Sequence, residues 1–298
     1  MKTELYIIFA LLYYVNIYSQ VADVNKAQIK DIQYYQLNNV EKQNIIKELG
    51  FKYNTSSVDD TVYREDILNF FIDTIIVKDK INSPLAAKSL LQYARLNEIN
   101  SLQKSKLLSI CEQGYFNVDL VQFIGLLGDT SFIVCLNETL NKTKKLREFE
   151  KDNLINALAR LGDREALDSR LNYLKSAYMQ NDKKLGQEFA KQLNYATYIN
   201  RQEMYNLIFD FVRNDNNKQV IIGDYGGGDE IYCTLSSFSM EILSKVIIGF
   251  PFERVICNDD SNDDKQNVIS SWKKDNVEYR YYLWHPYYGI NYSYWPER

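Results

Sequence analysis

The sequence predicts an all-α fold: an α-solenoid of stacked antiparallel helix pairs, followed by an irregular aromatic-rich C-terminal segment. Three observations predict it. Apolar residues recur with a helical rather than a strand period through most of the chain. Only 4 Pro and 12 Gly occur among 298 residues, a composition that suits helices better than hairpins. A Leu-Gly-Asp corner lies between two helical patterns and returns 34 residues later, the period of a helical repeat array.

Residues 1–19 have the three-part layout of a secretory signal peptide: Lys2, an unbroken apolar run from Leu5 to Val15, and a polar stretch with the cut between Ser19 and Gln20. The run has 11 residues, too few to cross a bilayer core of about 30 Å as a helix. A buried N-terminal helix is the competing reading. The ending Tyr18-Ser19-Gln20 resembles the signal peptides of Bacteroidetes bacteria. No cysteine directly follows the run, so a lipid anchor is not expected; with the short run removed no transmembrane anchor is expected either, and the expected location is secreted or periplasmic.

Residues 20–57 form a helical lead-in, in which Val40–Leu49 reads as a helix closed by Gly50 in the left-handed position after its end. The repeats are expected over 58–213. From Thr61 to Val77, Ile67, Leu68, Phe71, Ile72, Ile75 and Ile76 mark one wide buried stripe. Ser83 before Pro84 reads as a capped start for a helix running through Leu85 to Leu96. Ser101–Gln113 reads as the next helix, closed by Gly114.

The corners carry the physics of the repeat. In Leu127-Gly128-Asp129 and Leu161-Gly162-Asp163, the Leu closes one helix onto the core and the Gly supplies a left-handed exit. The Asp then caps the free N–H groups of the next helix. Leu96-Asn97-Glu98 is a degenerate copy, and after Thr197 the corner is lost although Glu203–Val212 remains helical. The stretch Ala157-Leu158-Ala159-Arg160-Leu161-Gly162-Asp163-Arg164-Glu165-Ala166-Leu167 resembles the inter-helix corner of the HEAT-repeat family, with Ile124 to Asp129 as a weaker copy. That resemblance implies antiparallel helix pairs over residues 61–213 and a long face that binds other macromolecules. No proline marks the first helix of the two best repeats, a departure from the family pattern.

Asn214-Asp215-Asn216-Asn217 breaks the pattern and opens residues 214–276, expected to be helical over Ser237–Ile248 and Lys265–Lys274. Gly226-Gly227-Gly228 fits no phosphate-loop spacing, and the acids beside it would repel phosphate. The acidic run from Asn258 to Asp264 fails an EF-hand frame, which would put Asp264 at the turn glycine and Ser270 at the bidentate Glu. Both read as solvated loops.

Residues 277–298 form an aromatic tail carrying Tyr281, Tyr282, Trp284, His285, Tyr287, Tyr288 and Trp295. It is either a ligand or partner surface, because Tyr and Trp give large contact area at small entropy cost, or a strap closing the last repeat. His285 is the single histidine. That, with no C-x-x-C spacing, argues against zinc held by Cys and His, and no serine or metal hydrolase motif is present. No catalytic residue, metal or cofactor is expected. Cys111, Cys135, Cys233 and Cys257 are either small buried hydrophobes or disulfide partners, with Cys111 and Cys135, and likewise Cys233 and Cys257, 24 residues apart. The net charge of −4 gives no footprint for nucleic acid. The expectation is a non-enzymatic, exported helical-repeat protein that binds another macromolecule, a protein, on a solenoid face. The alternative is an all-α protein that binds or degrades glycan through the C-terminal aromatics.

Overall fold

The structure, a computed structural model, describes residues 37–56, 61–78, 80–143, 145–180, 183–214, 218–224, 230–252, 262–276, 284–285 and 289–290. It is mostly helical, with a small sheet. Among the described residues no helix is long and apolar enough to cross a membrane. Contacts divide the chain into two compact units, one holding residues up to 94 with 98–107, the other 95–97 and residues from 108 onward.

The first unit contains α1 (Asn39–Thr55), α2 (Thr61–Ile76), α3 (Asn82–Tyr93) and the first part of α4 (Ser101–Glu112). Asn38 caps α1 by accepting from Val40 and Glu41 N–H, while Glu41 reaches back to accept from Asn38 N–H at 3.0 Å. Helix α1 does not stop at Gly50 as its sequence suggests. It continues to Thr55, and Gly50 is buried because the ring of Tyr93 lies where a Cβ would point. The glycine serves close helix packing rather than a left-handed exit. Ile46, Leu49, Ile67, Leu68, Phe71, Ile72, Leu90 and Leu91 form the core between α1, α2 and α3.

Two further expectations change here. The start of α3 is Asn82, and Ser83 Oγ donates to the Thr74 carbonyl at 2.9 Å instead of capping its own helix; Pro84 still sits in the first turn, where no backbone donor is needed. Helix α3 ends at Tyr93, so Leu96-Asn97-Glu98 is a short 3₁₀ turn. Glu98 does not cap α4. Its carboxylate instead takes a two-pronged pair from buried Arg64, at 3.0 Å from Nε and 2.9 Å from Nη2, plus the Tyr53 hydroxyl at 2.6 Å. The cap of α4 is Asn100, which exchanges reciprocal hydrogen bonds with Gln103. Along α2, α4 is pinned by Asn100 to Glu65, Gln103 to Asn69 and Lys106 to Asp73, a ladder in which both helices run in the same direction.

The second unit continues with α5 (Val118–Leu127), α6 (Ile133–Lys142) after a 3₁₀ turn, α7 (Glu148–Leu161), α8 (Arg164–Met179), α9 (Gln187–Ile199) and α10 (Gln202–Asn214). Gly128 at φ +67° ends α5, and Gly162 at φ +101° ends α7. Asp129 accepts from Ser131 N–H at 3.0 Å, and Asp163 from Ala166 N–H at 2.9 Å. The corner does not disappear after Thr197. Asn200 takes the glycine's role at φ +55°, its N–H bonded to Ala196 O and its side chain accepting from Tyr205 OH. Asparagine tolerates the left-handed region because its short amide bonds locally, so the motif survives in a form that a search for Leu-Gly-Asp misses.

Residues 214–276 are not helical throughout. Strand β1 (Lys184–Leu185) pairs in parallel with β2 (Gln219–Asp224), which pairs antiparallel with β3 (Glu230–Thr234) through Val220↔Cys233 and Ile221↔Tyr232. Thr234 then caps α11 (Leu235–Val246), which packs on α10. Helix α12 (Asn262–Asp275) sets Trp272 in a stacked arrangement with Phe209 of α10, the ring centroids 6.2 Å apart. Two short strands, β4 (Trp284–His285) and β5 (Gly289–Ile290), pair antiparallel, and β4 lies beside α9.

Cys111 and Cys135 form a disulfide between α4 and α6, with Cα atoms 5.7 Å apart. Cys233 is also disulfide-bonded. Cys257, the triple glycine and most of the acidic run lie outside the described residues.

Candidate functional site: a polar seam in a parallel helix stack

Helices α5, α7 and α9 lie side by side and run in the same direction, as their matched contacts show. Gln122 donates to Asn153, and Gly125 faces Ala157. Further along, the two ends of the α7 seam reach α9 at Gln192 and at Tyr198. Gly125 makes the α5–α7 approach possible: a Cβ there would sit 3.2 Å from Ala157 Cα and against the Tyr198 hydroxyl. A buried helix in such a stack should be apolar on every side. Helix α7 departs from this, since Asp152, Asn156 and Arg160, one turn apart, are all buried.

At the first end of the seam, Asp152 anchors a network across three helices. Its Oδ1 accepts from Arg170 Nη2 of α8 at 2.9 Å, and its Oδ2 accepts from Lys191 Nζ of α9 at 3.1 Å. Gln192 of α9 closes the ring by accepting from Arg170 at 2.8 Å and donating to Asp152 at 3.3 Å and to Glu188 at 2.6 Å. Burial alone would raise the Asp152 pKa. The Arg170 and Lys191 cations outweigh it and hold the carboxyl below its ordinary value.

The network reaches the surface. Tyr173 is 39% exposed, and the side chains of Lys191 and Glu188 are 40% and 54% exposed. Tyr195 is half-buried, with Lys191 Nζ 5.8 Å from its ring centroid. Burial raises the pKa of both phenols, and both sense the charges of Glu188, Asp152, Arg170 and Lys191. Two tyrosines, an ammonium and a carboxylate thus share one rim, held by a buried ion pair rather than by loops.

At the other end, Arg160 is buried and donates from Nε to the Gly125 carbonyl at 3.0 Å and from Nη1 to the Tyr198 carbonyl. Tyr198 OH donates to Gln122 O at 2.8 Å. One helix later, Arg201 repeats the contact and donates to the carbonyls of Ala159 and Arg160. Each guanidinium therefore satisfies C-terminal carbonyls of a neighbouring helix, where cations are favoured. Between the two ends, both amide atoms of Asn156 are buried without a hydrogen-bond partner among the described residues.

Of the tail residues singled out by sequence, Trp284 and His285 form β4, beside α9. Tyr281, Tyr282, Tyr287, Tyr288 and Trp295 lie outside the described residues. Sequence reasoning missed the rim. Asp152, Arg170, Glu188 and Lys191 sit at helical positions that read as an ordinary solvated face, and only packing joins them. A usable signal was present in the four-residue spacing of Asp152, Asn156 and Arg160, which runs among the apolar residues Leu154, Ile155, Ala157, Leu158, Ala159 and Leu161. Among the described residues no group of three His, Cys, Asp or Glu side chains could hold a metal ion. Comparison with protein families, with curated proteins and with solved structures finds no match to this chain.

Proposed function

We propose that this is an exported helical-repeat protein, a HEAT-like α-solenoid, that binds a protein partner through the rim of Tyr173, Glu188, Lys191 and Tyr195. The rim carries the reading. Aromatic and charged side chains fixed in place by a buried network give contact area and hydrogen bonds with little ordering cost, the composition found where binding energy concentrates. The solenoid arrangement is supported by left-handed corners at Gly128, Gly162 and Asn200, by parallel neighbours α5, α7 and α9, and by the repeated arginine-to-carbonyl contact. Export is supported by the signal-like N-terminus and by the Cys111–Cys135 disulfide, a bond that persists in oxidising compartments.

The glycan reading is kept for one observation: β4, from the aromatic tail, runs beside α9, the helix that carries Lys191 and Tyr195. The two readings part in one experiment. The immobilised protein is exposed to an envelope extract of the native organism, washed in salt, and its bound material analysed for protein and for sugar. One or two enriched proteins that the variant Y173A fails to retain support the protein reading. Polysaccharide retained without protein overturns it.

A further inference from the structure

The turn between α2 and α3 places three large aliphatic side chains in water within six residues: Ile76 at 41%, Val77 at 52% and Ile81 at 46% exposed. The ammonium groups of Lys78 and Lys80, exposed on the same turn, make no ion pair among the described residues, whereas Lys52 and Lys106 of the same unit pair with Glu48 and Asp73. Asp79 lies between the two lysines in sequence, so the turn carries a net charge of about +1 on a chain whose total is −4. Lys78 adopts φ +56°, a left-handed position where glycine costs less, with its N–H bonded to Ile75 O at 2.9 Å. That conformation keeps a cation where a helix end normally exposes a glycine.

A turn joining two antiparallel helices is convex and small. Three aliphatic side chains fall far short of the roughly 800 Å² that each partner buries in a stable protein interface. They do suit the boundary of a bilayer, where aliphatic side chains enter the acyl region while lysines extend to lipid phosphates. We propose that this turn is a membrane-contacting tip that docks the protein on an anionic bilayer through Ile76, Val77 and Ile81, with Lys78 and Lys80 at the headgroups. Because the whole chain is acidic, such binding has to be local rather than a consequence of net charge.

The test uses the full chain with vesicles of phosphatidylcholine containing about one third phosphatidylglycerol, and with vesicles of phosphatidylcholine alone. Hydrogen exchange of the amides in residues 76–81 should slow several-fold with the anionic vesicles only. The variants I76S/I81S and K78E/K80E, which alter exposed positions and should melt with the wild type, should each cosediment about tenfold less. Because every variant keeps the same N-terminus, the apolar run from Leu5 to Val15 contributes equally to all of them. The proposal fails if exchange at 76–81 does not change, if both variants cosediment like the wild type, or if protection there needs an added envelope protein and no lipid.

Discussion

Asn156 is a sharp case at the scale of single residues, because a buried amide without partners costs free energy that an apolar side chain of similar size would not. Asn156→Leu should therefore raise stability by about 1–3 kcal/mol in urea unfolding; a lower midpoint would mean that the amide is bonded in the folded protein. Asp152 behaves in the opposite sense. Removing it as Asp152→Ala leaves the Arg170 guanidinium buried without its counter-charge, a loss of about 3–5 kcal/mol. Its pH dependence follows from the direction of its shift. With a folded pKa below the ordinary 3.8, Asp152 contributes stability that is present above 3.8 and is lost as pH falls from there through the folded value. The stability gap between wild type and Asp152→Asn should thus be constant around neutral pH and shrink in strong acid. A gap that opened near neutrality instead would refute the assignment.

Among elements, the close approach of α5 to α7 depends on Gly125, where any Cβ meets Ala157 and Tyr198. Gly125→Ala should lower stability by about 1–3 kcal/mol through overpacking, although alanine is the better helix former. An unchanged or higher melting temperature would show that the stack is looser than described. The disulfide between α4 and α6 closes a loop with a sequence separation of 24 residues, so its removal in C111S/C135S should cost about 3 kcal/mol. Much of this level was legible in the sequence, because helical period and capping chemistry are local. Gly128 and Gly162 could be placed from the residues beside them. Gly50 could not, since its reason is the ring of Tyr93, more than forty residues away. Asn200 was hidden by chemistry rather than distance: it fills the same backbone conformation as glycine with a different side chain. The β2–β3 pair escaped because each strand is short and its partner is fixed by pairing, not by its own pattern.

For the molecule as a whole, the candidate site illustrates the limit of sequence reading. The aromatic tail stands out by composition, yet the best-defined surface on the described residues is built from Asp152, Arg170, Tyr173, Glu188, Lys191, Gln192 and Tyr195, drawn from three helices. No local pattern joins them. The arrangement separates support from contact: Asp152, Arg170 and Lys191 hold the network, while Tyr173 faces solvent. Changing Tyr173 should leave melting unchanged and remove partner binding, whereas changing Asp152 or Arg170 should lower both. The most direct test of the central claim is therefore to compare wild type with Y173A in capture of envelope proteins, alongside the melting temperature of each. The account predicts equal melting and a partner retained by the wild type alone. Equal retention of the same proteins by both, or retention of polysaccharide with no protein, would contradict it.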